Sequence, residues 1–228
     1  MDVTLEQNPA DSSVPESTPR QRPRMWPAVV VLVTGWLVLA GLHYFQLRIA
    51  TTTLFWIAAV YFGPLLSAVP WVVLVGATAI AGRLIWRRAR WRGVAAFLVP
   101  SVVVGVVVAL VNWQYVYKVS WYRLHRSDFA AVARLADDRT WTATAPQGYY
   151  GPKLPAEYQY LSTVDSLSRI GVNRGTPVWF LSQWAGIPDG AIGYAHITGD
   201  IDETAELDGF GDPVKPTVYL GDGWWWVE

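Results

Sequence analysis

MWPAVVVLVTGWLVLAGLHYFQL, residues 25–47, carries no Asp, Glu, Lys or Arg between Arg24 and Arg48, and residues 49–82 and 93–117 are equally free of charge. These windows hold 23, 34 and 25 residues. Each exceeds the roughly 20 that a helix needs to cross about 30 Å of hydrocarbon. The reading predicts a membrane protein: three transmembrane α-helices, at about 25–47, 60–82 and 94–117, followed by a small α+β domain with a mostly antiparallel sheet. The layout is then a disordered cytoplasmic tail over 1–24, a transmembrane region over 25–118 and an extracytoplasmic domain over 120–228.

The middle window is too long to cross throughout, since 34 helical residues would run about 51 Å. Pro64 and Pro70 interrupt its pattern and Thr51, Thr52 and Thr53 are polar. Residues 51–62, with Phe55, Trp56, Tyr61 and Phe62, read as an interfacial segment, with a re-entrant pair ending at Pro64 as the alternative. Leu39-Ala40-Gly41 begins like a lipoprotein cleavage box, but Leu42 stands where the lipidated Cys would be, so the first segment reads as a retained anchor.

Charge divides the chain. Residues 1–119 carry a net +6 and residues 120–228 a net −6, although the 18 basic and 18 acidic side chains cancel overall. An acidic exposed half lacks the basic footprint that nucleic acid demands. Arg20, Arg22 and Arg24 precede the first window, and Arg83, Arg87, Arg88, Arg90 and Arg92 separate the second from the third. Against them stand Arg48, Lys118, Arg123 and Arg126, so the positive-inside bias puts the N-terminus in the cytoplasm and the C-terminal domain outside a multi-pass cell-membrane protein.

The chain has no cysteine, which excludes disulfides, thiolate metal sites and cysteine nucleophiles. His43, Asn112 and Gln114 fall near the outer ends of their windows, as interfacial residues do, and Gly76, Gly82 and Gly105 suit helix packing. In the exposed half, Phe129, Val132, Ala133 and Ala136 recur at helical spacing after Ser127, a candidate N-cap. Strands are expected at 168–172, 176–181, 191–197, 217–220 and 224–227. The first two flank a three-residue loop, Asn173-Arg174-Gly175, and the last two are joined through Gly221-Asp222-Gly223.

Asp200, Asp202, Glu203, Glu206, Asp208 and Asp212 suggest calcium, but an EF-hand opened at Asp200 would need a Gly and a Glu where Ala205 and Gly211 stand. A solvated acidic loop fits better, and no metal or cofactor is expected. No G-x-S-x-G, H-E-x-x-H or P-loop pattern is present, so a catalytic reading has only His196 and the carboxylates of Asp212 and Asp222 to work with. Trp224 and Trp226 share one face of a strand and Trp225 the other. They can serve as core, as a stacking surface for a sugar or protein partner, or as lipid contacts. The candidate ligand or partner surface is Trp224, Trp225, Trp226, Asp222, Asp212 and Tyr194.

Tyr149-Tyr150-Gly151, Gly186-Ile187-Pro188-Asp189-Gly190 with Gly193-Tyr194, Phe210-Gly211-Asp212 and the closing Gly221-Asp222-Gly223-Trp224-Trp225-Trp226 together give a pattern that resembles uncharacterised membrane-anchored proteins of actinomycetes. The resemblance covers about residues 120–228 and the hydrophobic anchor. It implies a cell-envelope location in a Gram-positive bacterium and carries no activity or site residue with it. The expected function is a non-enzymatic, membrane-anchored envelope-binding or accessory protein, with partners in the lipid bilayer and an envelope protein or glycan. An envelope hydrolase is the alternative.

Overall fold

A computed structural model describes residues 26–50, 55–186, 190–201 and 206–228. The tail at 1–24, the threonines at 51–53 and the acidic Asp202 and Glu203 lie outside them. Helix α1 (Trp26–Tyr44) is followed by the short α2 (Gln46–Ala50) and by α3 (Phe55–Leu110). Helix α3 runs on past Pro64 and Pro70, so neither proline ends an element as expected. The axis of α3 nonetheless reverses. A Cβ on Gly82 would sit 3.2 Å from Leu98 Cδ2, whereas sixteen residues of straight helix separate their ends by about 24 Å. The two arms pack on α1 where small residues permit it: a Cβ on Gly35 would meet Leu74 at 2.5 Å, and one on Gly105 would meet Trp36 at 2.9 Å. Gly76 faces open space instead. Leu32, Trp36, Leu39 and Val108 are buried at this junction, with Trp71 edge-on to Trp36 at 5.8 Å.

This arrangement overturns the expectation of three transmembrane helices. Among the described residues no single helix is long and apolar enough to cross a membrane. Shorter apolar stretches are described at Val30–Tyr44 and Ala68–Arg83. The third window is broken: Leu98–Leu110 and Trp113–Leu124 meet at 81° and have the required length and composition only as a bent pair. In the third window the absence of charge concealed a helix break.

The bend has a local cause. Asn112 accepts the Tyr115 N–H through its side chain at 3.0 Å and so caps a new helix, α4 (Trp113–Leu124). Its residues Tyr117, Lys118 and Tyr122 are buried, and the two tyrosines join the core beneath the main sheet. Helix α5 (Arg126–Asp137) buries Phe129, Val132 and Ala136 at the expected spacing, but its N-cap is His125 rather than Ser127. Asp138 caps α6 (Arg139–Thr144) by accepting from Thr140 and Trp141.

A small ladder of β1 (Gln147–Gly148) and β2 (Gly151–Pro152) and a 3-10 helix at Ala156–Leu161 lead into the main sheet. Its strands are β3 (Ser168–Asn173), β4 (Thr176–Ala185), β5 (Ala191–His196), β8 (Pro216–Gly221) and β9 (Trp224–Val227), in the order β3-β4-β5-β9-β8, all antiparallel. Asn173 pairs with Thr176 across a two-residue loop, in which Arg174 and Gly175 have φ of 48° and 84°. Gly221 likewise pairs with Trp224 around Asp222 and Gly223, φ 52° and 78°. Positive φ at both central residues matches the right-handed twist of the strands. The acidic segment is not wholly a solvated loop: β6 (Leu207–Gly209) and β7 (Asp212–Val214) form a hairpin that buries Leu207 and Val214.

Two faces result. On the helix face, Leu181, Tyr194, Trp224 and Trp226 pack with Tyr117, Tyr122, Phe129 and Val132. On the opposite face, Ile170, Val178, Phe180, Ala195 and Val227 pack under the β6–β7 hairpin. The end of α1 joins the helix-face core through Tyr44, which lies edge-on to Tyr117 at 5.2 Å and shares a 2.8 Å hydrogen bond with Ser120.

Candidate functional site

Alternation along β9 divides the three tryptophans. Trp224 and Trp226 are buried on the helix face, while Trp225 is half-buried on the other. Tyr194 is also buried, its hydroxyl donating to the Lys118 carbonyl at 3.0 Å. Trp224, Trp226 and Tyr194 are thus core residues and cannot present a ligand surface. Of the three tryptophans of β9, Trp225 alone retains an accessible ring.

Register gives that ring a companion. A bulge between Tyr219 and Gly221 brings Tyr219 opposite Trp225, with ring centroids 4.8 Å apart at 48°. Tyr219 is 58% exposed. Together with Ile197, Gly199, Asp200, Ile201 and Gly223 the two rings line a groove of about 490 Å³, within the size range of small-ligand sites. The walls are pinned. Asn173, buried, donates to the Thr198 and Asp200 carbonyls at 3.2 and 3.0 Å, and the Ile197 N–H donates to the Gly223 carbonyl at 2.8 Å. Asn173, expected in a loop, is instead the strand residue that anchors the opposing loop.

Among the described residues lining the groove, Asp200 supplies a carboxylate. Its partner Arg174 lies 3.9 Å away with both side chains largely in water, a geometry of little energetic consequence that leaves the carboxylate able to accept hydrogen bonds from a ligand. An aromatic pair beside a hydrogen-bond acceptor suits a ring with one apolar face and hydroxyls at its edge.

Asp222 and Asp212 lie outside this groove's lining. Arg126 grips Asp222 with two hydrogen bonds, at 2.7 and 2.9 Å, and Tyr122 donates to it at 3.0 Å. Those bonds from Arg126 and Tyr122 outweigh partial desolvation and hold its carboxyl down at about 2. It clamps the β8–β9 turn to the helices rather than acting as a base. Asp212 is an exposed residue of the β6–β7 hairpin, so close to the Gly190 backbone that a Cβ there would lie 2.6 Å from its carboxylate. His196 lies against Trp224 on the helix face, ring centroids 5.0 Å apart and tilted by 44°, and burial lowers its pKa against the opposing influence of Asp137 and a bond to the Asp222 backbone. It stands across the sheet from Trp225. Among the described residues no group of three or more His, Asp or Glu converges as a metal ion would require.

The sequence reading missed Tyr219 and gave Asp200 only as one of an acidic run. Counting back from the Asp222-Gly223 turn in simple register puts Leu220, not Tyr219, opposite Trp225. The bulge restores the pairing that a three-residue connection at 221–223 implies, so the expected hairpin could have pointed to Tyr219. No family model, curated protein or solved structure matches this chain.

Proposed function

We propose that this is a non-enzymatic cell-envelope protein held at the cell membrane by its apolar helices, whose exposed groove binds a ring of a neutral envelope glycan. The observation that carries the glycan reading is the Tyr219–Trp225 pair beside Asp200, on loops pinned by Asn173. The net −6 of residues 120–228 disfavours anionic polymers, so the ligand is an uncharged sugar.

Membrane association is supported by the outer surfaces of α1 and both arms of α3. Val31, Leu37, Val72, Ile80, Val102 and Leu110 are each more than half exposed, a larger apolar surface than water-soluble monomers ordinarily present. The five arginines within 83–92 contrast with the few basic residues at the other ends of the apolar segments. That separation of charge favours an extracytoplasmic domain.

Calorimetric titration of the full chain in detergent micelles with neutral oligosaccharides, including N-acetylglucosamine oligomers and galactans, tests the groove. Binding that Tyr219→Ala weakens by about tenfold, the loss of one aromatic stacking contact, is the expected result. Failure of every neutral glycan to bind, or binding indifferent to Tyr219→Ala, sinks the reading. For the compartment, Tyr149→Cys places a single thiol at a side chain that is 95% exposed in a cysteine-free chain. A membrane-impermeant maleimide should label it on intact cells; labelling only after lysis would reverse the orientation.

A further inference from the structure

A second cavity, of about 500 Å³, opens where α3 breaks from α4, lined by His43, Gln46, Trp71, Asn112, Trp113 and Gln114 with Val108, Ala109 and Val111. Its polar groups are all uncharged or capable of being so. Trp71 donates its indole N–H to His43 Nε2 at 3.1 Å. Because an indole nitrogen can only donate, Nε2 must accept, and the imidazole carries its proton on Nδ1. Trp113 donates to the Val108 carbonyl at 2.7 Å, and the Asn112 carbonyl oxygen is used by the α4 cap. What remains on the walls is a set of amide and imidazole donors and acceptors; among the described lining residues there is no Lys or Arg to meet a phosphate and no carboxylate to meet an amine.

The apolar surroundings define the rest of the ligand. Leu42 and Leu110 flank the lining residues in sequence and are 42% and 80% exposed, and Val106 and Val107 continue the exposed apolar surface of the α3 arm. A molecule seated here meets a polar, uncharged cavity at one end and hydrocarbon-compatible helix surface at the other. We infer that this cavity binds the uncharged, hydroxyl-bearing head of a lipid, diacylglycerol or its glycosylated form, with the acyl chains lying along α1 and α3. The inference rests on the membrane reading of the helical half and is independent of the glycan groove.

Native mass spectrometry of the full chain in micelles, with dioleoylglycerol, monogalactosyl dioleoylglycerol and dioleoylphosphatidylglycerol supplied in equal amounts, reads the selectivity without any substitution. The expected result is retention of one neutral-headed lipid per chain and rejection of the anionic one; whether the free or glycosylated form dominates identifies the head. Replacing Gln46 and Gln114 together by Leu should cut retention about fivefold or more for each hydrogen-bonding group removed. Equal retention of phosphatidylglycerol, no retained lipid, or retention unchanged in the double variant overturns the assignment. Flotation of the same protein with vesicles separates the two levels. A chain that floats but retains no neutral lipid refutes this site alone, whereas a chain that stays in the aqueous phase without detergent refutes the membrane reading as well.

Discussion

Trp226 and Trp225 are adjacent in the chain, yet their rings meet opposite surroundings. The Trp226 ring is fully buried, packed edge-on to Tyr194 at 5.0 Å and covered by the Lys118 ammonium at 5.1 Å, and its indole N–H donates to Glu228 at 2.9 Å. Trp225 borders the opposite core, and its one close aromatic neighbour is the half-exposed Tyr219. A strand passes one face to each side, and the helices cover only one of them. Residues of the same type thus divide, by parity alone, between a fully buried core and the wall of an open groove.

The strongest way to break this contrast is to truncate both rings. Trp226→Ala should cost about 3–5 kcal/mol, the usual range for a large aromatic lost from a core, seen as a large fall in melting temperature. Trp225→Ala should cost markedly less. Equal losses would mean that both faces are core. A finer comparison uses Trp224, whose buried indole N–H has no acceptor among the described residues. Trp224→Phe removes an unsatisfied donor, so it should destabilise less than Trp226→Phe, which strands Glu228 and Lys118 without the indole.

Next in size is the pair that seals the helix face. Lys118 is 9% exposed and reaches Glu228 at 2.7 Å. Burial pushes the Glu228 carboxyl up, but bonds from Lys118, Trp226 and Thr217 outweigh it and hold the pKa below normal. A lowered carboxylate pKa contributes stability that is present above the ordinary value, near 4.5, and fades as pH falls through the lowered one. Glu228→Gln should therefore destabilise the fold at neutral pH, by about 1–3 kcal/mol, because the buried Lys118 loses its counter-charge. The loss should shrink in acid.

His196 adds a shallower acid dependence on the same face. Its pKa is lowered by burial, so the unfolded chain binds its proton first, and stability declines as pH falls below about 6.5. His196→Gln should flatten that part of the melting profile; an unchanged slope would show that the ring is not buried as described. The smallest effect is expected at Asp222, where both partners of the Arg126 pair are exposed. Asp222→Asn keeps a residue tolerant of φ 52° while removing the charge. It should lower the melting temperature slightly at low salt and negligibly at high salt.

Strand positions were legible because alternation and Gly-rich turns are local signals. β9 was expected at 224–227 and is found there, and the spacing of Phe129, Val132 and Ala136 marked the buried face of α5. Helix length was not legible in the same way. A charge-free window records what a segment lacks, whereas Asn112 ends one helix and caps the next through a hydrogen bond that composition does not weigh. The β6–β7 hairpin was hidden by its acidic neighbours, since only Leu207 and Val214 mark its buried side.

By itself the sequence determined the apolar and acidic halves, the parity of the tryptophans and the Asp-Gly turn that joins the last two strands. All of these depend on residue type and on spacing within a few positions. Tertiary structure decided the reversal of α3, the 81° break at Asn112 and the meeting of His43 with Trp71. Each of these needs groups brought together by an axis reversal, a helix break or packing between helices. Such placements are set by what fits once the other elements are present.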